Sequence, residues 1–144
     1  MNRCFSFFFC LFAMTVFAQS KASFEGKWMA LDEQTSRPLA IIELRPQGKE
    51  WVAKIVSIVD PAKQQLLCKD CPAPYTNQKV IGMEIIKGLQ LDGAHLRDGE
   101  LLDPRFGKSY TCYVTLEEPD RLKVRGYWFW TLFGKTQYWR RVKS

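Results

Sequence analysis

The side chains in this sequence that are best suited to redox chemistry or metal binding are a few cysteines and the single histidine. Cys68 and Cys71 have two residues between them, a spacing used by small disulfide loops, thioredoxin-like redox sites and zinc sites. A redox site needs the helix of a βαβ unit, and no such unit surrounds Cys68. A zinc site needs four ligands, so Cys112 and His95 would have to converge on this pair from separate segments. We therefore predict a Cys68–Cys71 disulfide that fixes a polar loop, and no metal site, with both alternatives open.

Hydrolytic catalysis has few candidate residues in this chain. His95 lies in a polar turn, and no serine has the Gly-x-Ser-x-Gly surroundings of an activated nucleophile. The neighbouring carboxylates Glu117 and Glu118 lie in a charged turn, where contact with solvent explains them. We predict that the chain is not an enzyme, has no catalytic residue and needs no cofactor.

The densest polar cluster is the turn that begins at Asp103 and continues through Lys108 to Tyr110. Turn geometry alone explains its composition, because Asp and Pro shape the bend and Gly107 can adopt a positive φ. A ligand-facing role for Asp103 and Lys108 is the alternative. An enzyme that uses this turn is the least favoured of three functional hypotheses.

The C-terminal stretch predicts a hairpin that closes the core. Apolar and polar residues alternate through residues 121–132, with Trp128 and Trp130 on the same side as Leu122, as expected of a long strand. A turn at residues 133–135 is followed by a partner strand at residues 136–142. The polar side of the first strand carries Arg121 and other basic residues.

Most of the remaining chain also has the pattern of short strands. These are predicted at residues 23–31, 39–44, 51–59, 80–86, 88–91, 99–102 and 109–116. Residues 61–67 form the one segment predicted to hold a short helix. The total is eight or nine strands without a repeat or linker, so we predict a single domain at residues 19–144.

Residues 1–18 have the composition of a secretory signal peptide. Arg3 is their one charged residue, an apolar run follows, and Ala18 ends a stretch suited to cleavage. The run is shorter than the roughly 20 residues that a membrane-spanning helix needs. We therefore expect an exported protein, periplasmic or secreted, with no transmembrane segment after cleavage.

The charge balance is mildly basic, with a net charge of +6. No recognition helix or Gly-rich phosphate loop accompanies the basic residues, and nucleic acid is a poor partner for an exported protein. We predict no nucleic-acid binding.

Many short antiparallel strands predict a sandwich or a closed barrel. Gly26-Lys27-Trp28 is typical of the first strand of lipocalin-like barrels, and the late run Trp139-Arg140-Arg141 could bring a guanidinium over the Trp28 ring. An ordinary core tryptophan beside a surface arginine is the alternative. We predict an all-β, antiparallel, lipocalin-like (calycin-type) β-barrel.

Five short motifs, in this order, resemble the exported bacterial family known as domain of unknown function 2147. They are Gly26-Lys27-Trp28, Cys68-Lys69-Asp70-Cys71-Pro72, Ile81-Gly82-Met83 with Ile86-Lys87-Gly88-Leu89, Gly99-Glu100-Leu101-Leu102-Asp103-Pro104 with Gly107-Lys108-Ser109-Tyr110, and Arg125-Gly126-Tyr127 leading to 134–142. The resemblance implies a lipocalin-like barrel outside the cytoplasm. It implies no activity, so no catalytic residue is carried over. The chain departs from the family pattern at His95-Leu96, where an aromatic residue is expected.

Two binding hypotheses follow. In the first, the barrel binds a small apolar or amphipathic molecule, because aromatic residues make up 14% of the chain and several lie on strand faces. Its candidate ligand-binding residues are Trp28, Tyr110, Arg125, Trp128, Trp130 and Arg140. An interior filled by side chains would explain the same aromatics without a ligand.

In the second hypothesis, the chain is an interaction module with a filled core. It would contact an envelope polymer or another protein through one face of the long strand, which carries Arg121, Lys123, Arg125, Tyr127 and Phe129. A hollow interior favours the first hypothesis, and a filled interior with an exposed apolar patch favours the second.

Overall fold

The computed structural model of the protein describes residues 23–128 and 134–143, which form eight antiparallel strands. The predicted signal peptide lies outside the described residues. In chain order the strands are β1 (Gly26–Leu31), β2 (Pro38–Gln47), β3 (Glu50–Ile58), β4 (Glu84–Asp92), β5 (His95–Asp103), β6 (Lys108–Glu118), β7 (Arg121–Tyr127) and β8 (Gly134–Arg141).

The strands form a closed barrel in which each pairs with the next along the chain and β8 pairs with β1. Side chains alternate between the interior and the outside, as in β7, where Leu122 and Val124 are buried and their neighbours are partly exposed. Closure leaves no long unpaired strand edge in the sheet. The predicted all-β, antiparallel barrel is thus confirmed.

The predicted boundaries of β4 and β5 are wrong. One strand, Glu84–Asp92, replaces the predicted strands 80–86 and 88–91, and residues 80–83 lie before it. Pairing with β5 continues past Gly88, which has a φ of 72°. A positive φ at glycine bends the strand locally without ending it. β5 begins at His95, which was predicted to lie in a turn, and His95 Nδ1 lies 3.0 Å from Thr115 Oγ1 of β6.

The predicted closing hairpin is also shorter than expected. β7 ends at Tyr127, so Trp128 lies beyond the strand, and Gly134 and Lys135 belong to β8 where a turn was predicted. Gly134 pairs directly with Tyr127, and a Cβ on Gly134 would lie 2.2 Å from Gly126 O, which excludes any larger residue.

Helix is almost absent from the described residues. The predicted helix at residues 61–67 is a single 3₁₀ turn, Pro61–Lys63, capped by the carboxylate of Asp60, which accepts from the Ala62 amide. None of the helical structure in residues 23–128 and 134–143 is long and apolar enough to cross a membrane.

Large side chains fill one end of the barrel, which we call the closed end. They are fully buried and come from strands all around the sheet: Trp28, Leu44, Leu89, Leu96, Val114 and Leu122. Gly99 lets them pack, since a Cβ there would lie 2.5 Å from Leu89 Cδ2 and 3.0 Å from Cys112 Sγ. The segment before β1 crosses this end, where Phe24 is buried and its carbonyl accepts a 2.9 Å hydrogen bond from Trp28 Nε1.

Arg141 contacts several chain segments at the closed end and holds them together. Its guanidinium lies 4.1 Å from the centroid of the Trp28 ring, which confirms the predicted stacking and identifies the arginine. The same guanidinium donates to the carbonyls of Ser23, Glu25 and Pro119 at 2.6–3.0 Å. One side chain thus ties the N-terminal segment and the β6–β7 turn to the end of β8.

Replacing Arg141 with Met should lower the free energy of unfolding by about 1–3 kcal/mol, because it removes the charged hydrogen bonds and the cation–π contact while retaining an apolar stem. The matched control is Arg140→Met, one residue earlier on the exposed side of β8. Urea unfolding followed by circular dichroism measures both. Equal effects of the two substitutions would contradict the role assigned to Arg141.

Candidate functional site

The other end of the barrel holds a cavity of about 920 Å³. Its opening, which we call the mouth, lies between the β1–β2 connection, the long β3–β4 segment and the β5–β6 turn. The volume lies within the range of small-molecule sites, roughly 300–1,000 Å³. The barrel is therefore filled at one end and hollow at the other.

The cavity wall is mainly apolar because the inward-facing residues near the mouth are mostly aliphatic and, apart from Trp139 and Tyr110, small or medium in size. They include Ala30, Ala40, Ile42, Ile55, Ile85, Leu101, Leu102, Val124, Gly126 and Trp139. Gly126 packs closely against the Leu101 side chain, since a Cβ on Gly126 would lie 3.2 Å from Leu101 Cδ2. Small residues at these positions leave space that the leucines and Trp28 occupy at the closed end.

Two polar groups interrupt the apolar wall. Gln137 Oε1 accepts a 2.7 Å hydrogen bond from Trp139 Nε1, which fixes both side chains on the wall. Tyr110 also lines the cavity and is 7% exposed. Burial, with a further contribution from the Asp103 carboxylate, raises the pKa of the Tyr110 hydroxyl, so at neutral pH it stays protonated and can donate a hydrogen bond.

Charged residues occupy the mouth, and several are held by short-range pairs. Arg105 Nη2 and Nε lie 2.7 and 3.0 Å from the two carboxylate oxygens of Asp103, a bidentate arrangement. This hydrogen bonding raises the pKa of Arg105. Asp32 accepts from the amides of Gln34 and Thr35, and those bonds lower its pKa. The Asp32 carboxylate is therefore ionised at neutral pH, and both carboxylates are held by hydrogen bonds within their turns.

A disulfide joins Cys68 and Cys71, as predicted, and its loop forms part of the mouth. Lys69 and Asp70, between the two cysteines, line the cavity. The loop packs against the β5–β6 turn so closely that a Cβ on Gly107 would lie 1.9 Å from Asp70 O. Since Gly107 also has a φ of 65°, this turn requires glycine for both space and conformation. The disulfide therefore fixes one side of the cavity opening.

The candidate residues predicted from sequence do not converge on one site. Tyr110 and Asp103 line the cavity. Trp28 is buried at the closed end, Arg140 is exposed on the outside of β8, and Lys108 is exposed beside the turn.

Two further predicted residues lie near the mouth without lining the cavity. Trp128 is 40% exposed, and its ring stacks on that of Tyr110 at a centroid distance of 4.6 Å. Arg125 lies on the outward side of β7, where its Nη1 donates to Thr136 Oγ1 at 2.8 Å. Trp130 and Phe129 lie outside the described residues.

Trp139 and Gln137 are the wall residues that sequence reasoning missed. The alternation along β8 places Lys135, Gln137 and Trp139 on the same side, so the period-two pattern contained the signal. The pattern could not tell which end of the strand faces the hollow half.

Cys112 is a buried free thiol on β6, on the inward side. Burial alone raises its pKa to about 12. Within the two described stretches, no three His, Cys, Asp or Glu side chains come together as metal ligands. Cys112 therefore packs as a small apolar side chain.

The model of one protein family matches residues 26–141, and that family is described as "Uncharacterized protein conserved in bacteria (DUF2147)". A solved structure with a similar fold is protein HP1028 from the human pathogen Helicobacter pylori, which is described as a member of the lipocalin family. The two share 19% sequence identity, 86% of each chain is covered, and the TM-score is 0.76. At this identity the likeness concerns the fold alone, which is lipocalin-like. No curated protein matches the chain.

The Cys112 thiol should resist alkylation in the folded protein at pH 9, because a pKa of about 12 leaves almost no thiolate and burial blocks the reagent. The test is iodoacetamide treatment of residues 19–144, in which Cys112 is the only cysteine outside the disulfide, followed by intact mass measurement. The same treatment in guanidinium chloride is the control. Rapid labelling of the native protein would contradict the buried, protonated state.

Proposed function

The chain belongs to the DUF2147 family of uncharacterised bacterial proteins, and within it we propose that this protein binds a small apolar or amphipathic molecule inside its barrel. We also propose that it is exported and acts without catalysing a reaction on the bound molecule. The lipocalin-like fold supports a binding role, since barrels of about eight strands can hold one small ligand.

The observation that carries the proposal is the apolar cavity of about 920 Å³. Because the cavity opens at the mouth, its apolar wall is accessible to water, and an apolar ligand would bury that surface favourably. The second hypothesis required a filled core, and only the closed end of the barrel meets that requirement. The interior therefore favours a ligand.

Two wall groups define where a ligand would place its polar atoms. The neutral hydroxyl of Tyr110 is a donor and acceptor, and the Gln137 amide is held in place by Trp139. Neither group is charged, so the buried part of the ligand should be neutral. Charged head groups would lie at the mouth, beside Arg105 and Lys135.

The residues around the cavity give little support to catalysis. Tyr110 has its pKa raised rather than lowered, so it would be a poor general base at neutral pH. The Asp103 carboxylate is paired with Arg105 in both of its oxygens. These features favour a carrier over an enzyme.

Filling the cavity should abolish binding. Ala40 lines the cavity, and Ala40→Phe would place a ring in the space that a ligand needs. Ile41, the next residue on β2, is absent from the wall, so Ile41→Phe is the matched control. We expect Ala40→Phe to weaken binding of 1-anilinonaphthalene-8-sulfonate by roughly tenfold or more and Ile41→Phe to leave it unchanged.

Fluorescence titration of the dye measures this binding, with circular dichroism to show that both variants are folded. Trp139 on the wall provides an independent reporter, because a ligand in the cavity changes its surroundings. Equal dye binding by the two variants would place the dye outside the cavity and count against the proposal.

A second candidate function rests on the outer face of β7 and β8, which we call the basic face: Arg121, Lys123, Arg125 and Arg140. Arg121 and Arg140 lie directly opposite each other across the two strands. Glu117 offsets part of this positive charge, since its carboxylate lies 3.5 Å from Arg121 Nε. An anionic polymer bound across the face would meet the remaining positive charge, and Tyr138, whose ring lies 4.2 Å from the Arg121 guanidinium, would add an aromatic contact.

Lys123→Glu should weaken binding to immobilised dextran sulfate, so that the protein elutes at lower salt. Lys49→Glu is the control, because the exposed Lys49 in the β2–β3 turn undergoes the same charge change away from the basic face. Identical elution of the two variants would mean that net charge, and not the basic face, governs retention.

A further inference from the structure

Exposed apolar side chains in the described part of the chain are concentrated around the mouth. Seven large apolar side chains are exposed among the described residues. Five of them lie around the mouth: Val59, Leu66, Leu67, Phe106 and Trp128. The other two are Leu91 and Tyr138. We call the five residues the collar.

The collar is continuous with the cavity wall. Val59, Leu66 and Leu67 themselves line the opening. Phe106 lies between the side chains of Arg105 and Lys135, with its ring centroid 5.4 and 5.3 Å from their cationic groups. Trp128 stacks on Tyr110 of the wall. Apolar side chains therefore lie on the outside of the barrel, at its opening and on the cavity wall, beside the charged residues of the mouth.

The collar is also anchored to a rigid base. The β5–β6 turn that carries Phe106 packs on the disulfide loop, where Cys68 Sγ lies 3.7 Å from Pro104 O. Leu67 pairs with Lys79 in an isolated bridge that fixes the adjoining segment. Side chains held outward on a fixed base pay little ordering entropy when they insert into an apolar phase.

Charges of both signs surround the collar in equal number. The lining of the mouth includes five basic residues, Arg37, Lys63, Lys69, Arg105 and Lys135, and five acidic residues, Asp32, Glu33, Asp60, Asp70 and Asp103. Such a rim has no net preference for an anionic or a cationic surface. It complements a layer of zwitterionic head groups, which present both signs together.

We propose that the collar inserts into the surface of a lipid bilayer rich in zwitterionic head groups, so that the mouth opens onto the acyl chains. An amphipathic molecule could then pass between the bilayer and the cavity without crossing water. This inference rests on the proposed ligand-binding function, for which it identifies the bilayer as the source or destination of the ligand. Aromatic and aliphatic side chains flanked by lysines are typical of such interfacial contacts.

The test is co-sedimentation of the protein with vesicles of phosphatidylethanolamine and phosphatidylcholine. Phe106→Ser removes an exposed collar residue that does not line the cavity, and Leu91→Ser removes a similarly exposed residue on β4, outside the collar. We expect Phe106→Ser to weaken vesicle binding by about tenfold and Leu91→Ser to leave it unchanged. Equal losses, or no loss, would overturn the proposal.

Salt separates the collar from the basic face. Insertion of apolar side chains should change less than about threefold between 0.1 and 0.5 M NaCl, whereas binding through exposed charges is screened. Binding that requires phosphatidylglycerol and disappears in 0.5 M NaCl would overturn the collar and assign vesicle contact to the basic face.

Dye binding without vesicles distinguishes failure of this inference from failure of the proposed function. Phe106→Ser should bind 1-anilinonaphthalene-8-sulfonate as the unaltered protein does, since its side chain is outside the cavity. Normal dye binding together with unaltered vesicle binding by Phe106→Ser would overturn the docking surface alone. If the unaltered protein does not bind the dye, that result would instead count against the cavity as a ligand site.

Discussion

Closure of the sheet between β1 and β8 is the contact on which the rest of the structure depends. Only three residue pairs form this seam, in which Trp28, Met29 and Ala30 face Arg141, Arg140 and Trp139. The Arg141 guanidinium reinforces it by stacking on Trp28 and by binding the carbonyls of Ser23, Glu25 and Pro119. Without the seam, two strand edges would be exposed to solvent and the cavity would lose its wall. Because the pairing of β1 with β8 is short, the contacts of Arg141 at its end are important for keeping the barrel closed.

The size of the inward-facing side chains divides the barrel into a filled half and a hollow half. Along β1, Trp28 fills the closed end, whereas Ala30, two residues later, faces the cavity. Small residues recur near the mouth, as with Ala40 on β2 and Gly126 on β7. The residues that fill the closed end and those that line the cavity thus occupy successive inward positions on the same strands. Fully buried large side chains are concentrated at the closed end, and the cavity occupies the other end.

Alternating hydrophobicity was sufficient to predict the fold, because burial on one side of a strand imposes a period of two on the sequence. The barrel, the Cys68–Cys71 disulfide and a guanidinium over Trp28 were all predicted correctly. The errors in strand boundaries arose where the backbone conformation differs from what residue composition suggests. Gly88 is an example, because its positive φ bends β4 without ending it. The site was harder, because alternation shows which residues face inward but not which end of the barrel is hollow. Trp28 was therefore assigned to a ligand, although Trp139 has the position on the cavity wall.

The proposed role of the hollow half of the barrel is to carry a small apolar or amphipathic molecule. Native mass spectrometry of the protein purified from its own host, recorded intact and again after denaturation, tests this role. We expect a stoichiometric small-molecule adduct that is lost on denaturation and whose mass identifies the class of ligand. A bare protein mass that remains bare after incubation with lipids and fatty acids would contradict the claim.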